Sequence, residues 1–382
     1  MKLLCLSLVA AALFAAPDVQ TIRTPNNGIQ PRAILDRSGT LHLLYYVGDH
    51  LHGDLFYVKS SDVGATWSSP LRVNSEPGTA IAAGTIRGGE MAIGKNGRVH
   101  VAWNGSSNAA PSGPLNPESG QRGAPMLYSS LNDSHTGFEP ERNLMTRTFG
   151  LDGGGVVAAD LAGHVYVAWH GKTPGAAKGE AGRQVWIAES DDNGKTFAAE
   201  RPAWNQPTGA CGCCGMAIFA DSKGVVRALY RSATENVHRD IYLLTAPRGS
   251  LVFEGRRLDT WNINACPMTS MDFAQAGDKV EGAWETGGHV YFEDLTAATA
   301  ARIAAPEGGQ NQKHPRLAIA PNGETLMAWT EGTGWNRGGS LAWQLYDAAG
   351  KPLGNKCMQP DVPAWSFGAV VAKPHGGFLV IY

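Results

Sequence analysis

Cysteine is scarce in this 382-residue chain, with six copies, and neither sign of charge is in excess: 32 Lys and Arg stand against 34 Asp and Glu, a formal net charge of −2. That balance excludes nucleic acid as a partner, because phosphate binding needs a strong surplus of Lys and Arg on one face. Long apolar runs are missing too, apart from residues 3–16 behind Lys2, a stretch of signal-peptide length and too short to cross a bilayer. Residues 1–16 therefore read as a signal peptide that carries Cys5 away with it. Residues 17–382 read as a single domain with no transmembrane segment after cleavage, periplasmic or secreted. A monomer is expected. In that oxidising setting the remaining five cysteines tend to pair. Helical periodicity is the last absence, and with 48 glycines and 11 tryptophans it leaves short strands joined by turns, an all-β chain.

What is present is a repeat. A glycine, an apolar strand and an aromatic six positions on recur as "GTLHLLY", "GRVHVAW", "GHVYVAW", "GVVRALY", "DKVEGAW", "GETLMAW" and "GGFLVIY", ending at Tyr45, Trp103, Trp169, Tyr230, Trp284, Trp329 and Tyr382. The fifth copy has Asp278 in the glycine's place. Another apolar strand precedes each copy and two more usually follow. Four strands at this period predict a β-propeller of four-stranded antiparallel blades, with the aromatics as blade-to-blade core. The count is seven blades, or six if the last hairpin shares a blade. "VQTIRT" near the mature N-terminus can supply an outer strand to the last hairpin and close the ring.

Between third and fourth strands two repeats carry the pattern SxDxGxT followed by an aromatic: Ser60, Asp62, Gly64, Thr66, Trp67 and Ser190, Asp192, Gly194, Thr196, Phe197. Asp and Ser side chains bond amides within such a turn and Gly takes a positive φ. These turns resemble the Asp-box (BNR) repeats of sialidase-like propellers, and the strand pattern extends the resemblance over nearly all of the mature chain. It implies a secreted glycoside hydrolase of the exo-α-sialidase type acting on acidic glycans, with no cofactor required. Sialidases hold a carboxylate with arginines, whose planar fork suits it, and use a tyrosine nucleophile beside a glutamate with an aspartate as acid or base. Matched by position, the resemblance implies Arg32, Arg231, Arg239 and Arg337 as substrate-binding residues and Glu90, Asp152 and Glu285 as catalytic carboxylates. Tyr382 falls on a packing position of the repeat and Tyr346 on a third strand, so no tyrosine is assigned as the nucleophile.

The five mature cysteines support a second reading, a non-catalytic, redox or soft-metal-binding propeller. In a propeller the loops feeding the innermost strands, and those joining second and third strands, open on one face. Cys211, Cys213 and Cys214 feed the fourth repeat, Cys266 the fifth, and Cys357 is read as feeding the seventh. A disulfide from Cys266 to one of the other three would staple adjacent blades. Alternatively Met216, Met268 and His314 on the same face would join the thiols around a soft metal, copper above all. The ligand of the domain is then a glycan or another small molecule.

Overall fold

The computed structural model describes residues 18–307 and 311–382, so the segment read as a signal peptide lies outside the described residues. Seven sheets follow one another around a ring. The first blade comprises Ile29–Leu35, Leu41–Gly48, Gly53–Ser60 and Leu71–Arg72, each antiparallel to the last. Five further four-stranded antiparallel blades occupy residues 90–143, 156–202, 217–259, 272–304 and 312–362. The seventh has three strands, Ala369–Ala372, Phe378–Ile381 and Val19–Ile22, the last added in parallel with register Val19 to Phe378 through Ile22 to Ile381. The N-terminal strand thus closes the ring, and its parallel sense departs from the expected antiparallel pattern.

The repeating aromatics are the seams. All seven are at least 93% buried, and each lies on or just beyond the second strand of its blade against the blade before it. Trp103 packs with Leu44 and Tyr46, Trp169 with Met126 and Tyr128, and Trp284 with Leu229 and Leu243. Tyr45 completes the circle against Val371 and Leu379 of the seventh blade. Large rings contribute on the order of 150–250 Å² of buried surface each, so blade association rests on them.

The glycine that opens each repeat is a turn residue between first and second strands, where positive φ excludes most side chains. Gly39, Gly97, Gly163, Gly224, Gly323 and Gly376 have φ between +70° and +110°. The fifth repeat keeps the device one residue earlier, with Gly277 at φ +58° ahead of Asp278. The two SxDxGxT turns are superposable in their bonding. Thr66 and Thr196 each donate from N–H and hydroxyl to Asp62 and Asp192, and Gly64 and Gly194 donate to Ser60 and Ser190, at 2.7–2.9 Å. Those bonds hold both aspartates down at about 2. Trp67 and Phe197 tuck against the neighbouring apolar clusters. Both turns lie at the outer edge, away from the ring's centre.

Candidate functional site

Chemistry-bearing side chains collect in two places around the ring's centre. The first is the waist of the channel formed by the innermost strands. Gln30-Pro31-Arg32 in the first blade and His314-Pro315-Arg316 in the sixth share one backbone device: Gln30 and His314 both have φ +54°, and each strand slips register before its arginine. Proline disfavours a right-handed helical residue before it and cannot donate to the ladder, and each strand slips its register there, with the arginine that follows lining the channel. Arg32 pairs with Glu90, the first residue of the second blade, and Arg316 Nη1 lies 4.0 Å from Asp272, the first residue of the fifth. Phe367, which feeds the seventh blade between them, takes both guanidiniums on its ring at 4.4 and 4.5 Å from the centroid.

This quartet lines a cavity of about 260 Å³, otherwise apolar, that also touches Met216. The cavity shares Ile34, Met91, Val157, Ile218 and Phe219 with a wider recess of about 500 Å³ among the hairpin turns, so the channel widens toward that end. Above the waist, Ile86 sits against Gly153 and Gly215, and Gly215 against Ser270, which draws the feeder loops of blades two to five into contact. Burial pushes Asp272 up to about 7, against the pull of the Leu317 amide and Arg32. Burial also raises Glu90, despite Arg32. Arg32 Nε and Arg316 Nε and Nη2 are buried with no hydrogen-bond partner. A desolvated guanidinium N–H without an acceptor is costly, and here two arginines present such groups beside one cavity.

The second place is the feeder loop of the fourth blade. Cys211, Cys213 and Cys214 bring their sulfurs within 4.8 Å of one another. Arginines surround them. Arg231 donates to the carbonyl oxygens of Arg239 and Glu285 and pairs with the Glu285 carboxylate at 3.2 Å. Arg239 pairs with Glu180 at 2.6 Å, while Asp152 is held by Arg87 at 2.5 Å and Arg183 at 3.8 Å. Burial lifts Glu285 to about 7, opposed by Arg231.

The residues implied by the resemblance are therefore distributed. Arg32 and Glu90 meet at the waist; Glu285, Arg231 and Arg239 form the wall beside the cysteines; Asp152 is engaged by two arginines; and Arg337 is exposed at a loop tip, donating to Gly332 of its own loop. No two of the four arginines share a carboxylate. Among the described residues no tyrosine hydroxyl bonds a carboxylate; their partners are Asn26, His42, His100, Thr208 and backbone carbonyls. Arg316, Asp272 and Phe367 complete the waist without having been singled out in the sequence. The signal for Arg316 was the second Pro-Arg step, "HPRL" against "QPRA".

The expected disulfide does not form: all five described cysteines are free thiols. Cys266 is exposed on its own loop, and the three sulfurs of the fourth blade turn toward one another instead. Cys357 is not on a feeder loop. The outer strand of the sixth blade runs for 11 residues, Pro352–Val362, and Cys357 sits exposed within it opposite Trp343. Met216 belongs to the waist cavity, and Met268 to a small recess with His314. His314 is buried and bonded through Nδ1 to Ser270 at 3.1 Å; burial first, then Lys313 and Arg32, hold its imidazole at about 3, hence neutral.

No protein-family model matches the chain, and no curated protein matches it. Solved structures do. A protein of unknown function from Dyadobacter fermentans is 16% identical over 83% of this chain and 94% of its own, with a TM-score of 0.53. The Hadza microbial sialidase Hz136 is 14% identical over 80% of this chain and 64% of its own, TM-score 0.52. An α-L-arabinanase of Penicillium chrysogenum, solved with arabinobiose, is 13% identical over 85% and 95%, TM-score 0.52. At these identities the likeness is one of fold, the β-propeller. Among the described residues no helix is long and apolar enough to cross a membrane.

Proposed function

We propose that the protein is an exported glycan-acting propeller, a glycoside hydrolase that takes a terminal acidic sugar at the channel waist. The observation that carries this reading is the pair of Pro-Arg bulges: Arg32 and Arg316 flank Phe367 with buried guanidinium N–H groups that have no acceptor. A ligand carboxylate supplies what they lack, and arginine binds it through two parallel hydrogen bonds. Glycoside hydrolysis by two carboxyl groups needs one protonated to release the leaving group and one ionised. Asp272, held at about 7, is suited to donate the proton. Glu90, paired with Arg32, is the second carboxyl. The exo-α-sialidase reading is a narrower form that would need a tyrosine nucleophile in addition to these carboxyls, and the fold neighbours named for sialosides and arabinans support the broader, glycan-acting form.

Turnover of aryl α-sialosides and aryl glycuronides by the purified protein tests it, with calorimetric binding of the free acids in parallel. Arg316→Ala should weaken binding of the acid, and Asp272→Asn should abolish turnover while leaving binding. Binding without turnover would reduce the proposal to a carbohydrate-binding propeller. Neither binding nor turnover with any acidic sugar would reject it.

A further inference from the structure

The three thiols of the fourth blade's feeder loop take no part in the chemistry proposed at the waist. We infer that Cys211, Cys213 and Cys214 form a mononuclear site for Cu(I), independent of the glycan reading. The sulfur of Cys211 lies 3.1 Å from that of Cys214 and 3.4 Å from that of Cys213, and all three are within 4.8 Å of one another. A metal bonded to sulfur at about 2.3 Å places three ligands in a plane about 4 Å apart. The two closer pairs need to open by less than about 1 Å to reach that spacing.

Coordination number selects the metal. No other His, Cys, Asp or Glu among the described residues joins the group. Structural zinc demands four protein ligands, whereas a soft all-thiolate set suits Cu(I). Cys266 and Cys357 are exposed and outside the group.

The loop is held ready. Cys211 N–H donates to the Arg231 carbonyl at 2.9 Å and Gly215 N–H to that of Thr269 at 2.8 Å, while His170 Nε2 lies 3.1 Å from the Cys214 carbonyl oxygen. A side chain at Gly212 would strike Arg183, and one at Gly215 would crowd Ser270, which accounts for the glycines of "CGCCG". Cys213 is half-buried, the other two buried, so an ion approaches past Cys213. Binding forms three Cu–S bonds and releases up to three thiol protons; no electron is transferred.

The test is anaerobic titration of the fully reduced protein with Cu(I) in competition with bicinchoninate, followed by X-ray absorption. The expected result is about one Cu(I) per chain with a sulfur-only first shell, lost in Cys213→Ser and kept in the Cys266→Ser/Cys357→Ser double variant. Circular dichroism verifies that Cys213→Ser is folded. If it is not, maleimide labelling of the wild type decides: Cu(I) must protect Cys211, Cys213 and Cys214 and leave Cys266 and Cys357 reactive. Failure to compete with bicinchoninate would overturn the inference. So would tighter binding of Zn(II) than of Cu(I), or a Cys211–Cys214 disulfide that resists reduction.

Discussion

Arg231 and Glu285 sit on the second strands of adjacent blades, with Nη2 3.2 Å from Oε2 and side chains 0% and 2% exposed. A guanidinium so enclosed, stacked on Trp261 and bonded to two carbonyl oxygens, joins blades four and five. Removing one partner of a buried pair strands the other charge, whereas replacing both with apolar residues of similar size can be nearly neutral. Arg231→Met should therefore destabilise the protein by about 3–5 kcal/mol in urea unfolding. The Arg231→Met/Glu285→Leu double variant should recover most of that loss. Equal losses in single and double variants would show that the pair's charges do not matter to the seam.

Stability should fall as pH rises toward neutrality. Asp272 and Glu285 titrate at about 7 in the folded protein, burial being the main cause, and near about 4 when unfolded. The native state then binds more protons between those values. The contribution of both groups is fully present below about pH 4 and is lost as pH climbs through about 7. Urea midpoints from weakly acidic to weakly alkaline pH should decline, with a shallower slope in Asp272→Asn; an unchanged slope refutes the assignment. Turnover that depends on protonated Asp272 should decline over the same range.

Glu200 acts in the opposite sense. It is fully buried and accepts from the amides of Thr146, Arg147 and Thr148 and from the hydroxyls of Thr146 and Thr148. Burial alone would raise its carboxyl, but these bonds, led by the Thr146 hydroxyl, hold it below its ordinary value. Its contribution is present above the unfolded value and is lost as pH falls through the folded one. Glu200→Ala should cost about 3 kcal/mol or more, since five donors lose their acceptor. A loss below about 1 kcal/mol would mean water replaces the carboxylate.

Ring closure depends on Val19–Ile22. Ile22 packs with Leu379 and Ile381, and the Thr24 amide donates to the Tyr382 carbonyl at 2.8 Å. Deleting residues 18–24 bares the edge of Phe378–Ile381, a template for pairing with other chains. The truncated protein should melt at lower temperature and elute as oligomers in size-exclusion chromatography. A monomer of unchanged melting temperature would show the seam to be dispensable.

The blades were legible because a seam needs the same large ring at the same strand position each time; Trp103, Trp169 and Trp329 announce themselves by spacing. Even Asp278 misled only about which residue turns, since Gly277 carries the positive φ. The waist was half legible. Arg32 was marked by position in the first repeat, but Arg316 shares its Pro-Arg step almost a full circuit later. Whether either side chain points inward depends on a local bulge and a φ of +54° that apolar periodicity does not register. Arg231 has the identity of a ligand-binding arginine, and only the packing of Glu285 and Trp261 reveals its enclosure. Cys357 was misplaced because the long strand Pro352–Val362 fills what reads as a loop.

The parallel pairing of Val19–Ile22 with Phe378–Ile381 also sets a clock. These partners lie at nearly opposite ends of the described chain, and contacts so remote in sequence bear the largest loop-closure cost and form late. Until residues 369–381 have been synthesised, the first blade faces no seventh, and Tyr45 lacks its partners Val371 and Leu379. During synthesis the nascent chain is therefore an open arc with two raw ends, the species most exposed to chaperones and to mispairing. Locking comes as a single terminal event, so the rate at which the two ends meet, more than the folding of any one blade, should govern how much chain reaches the closed ring.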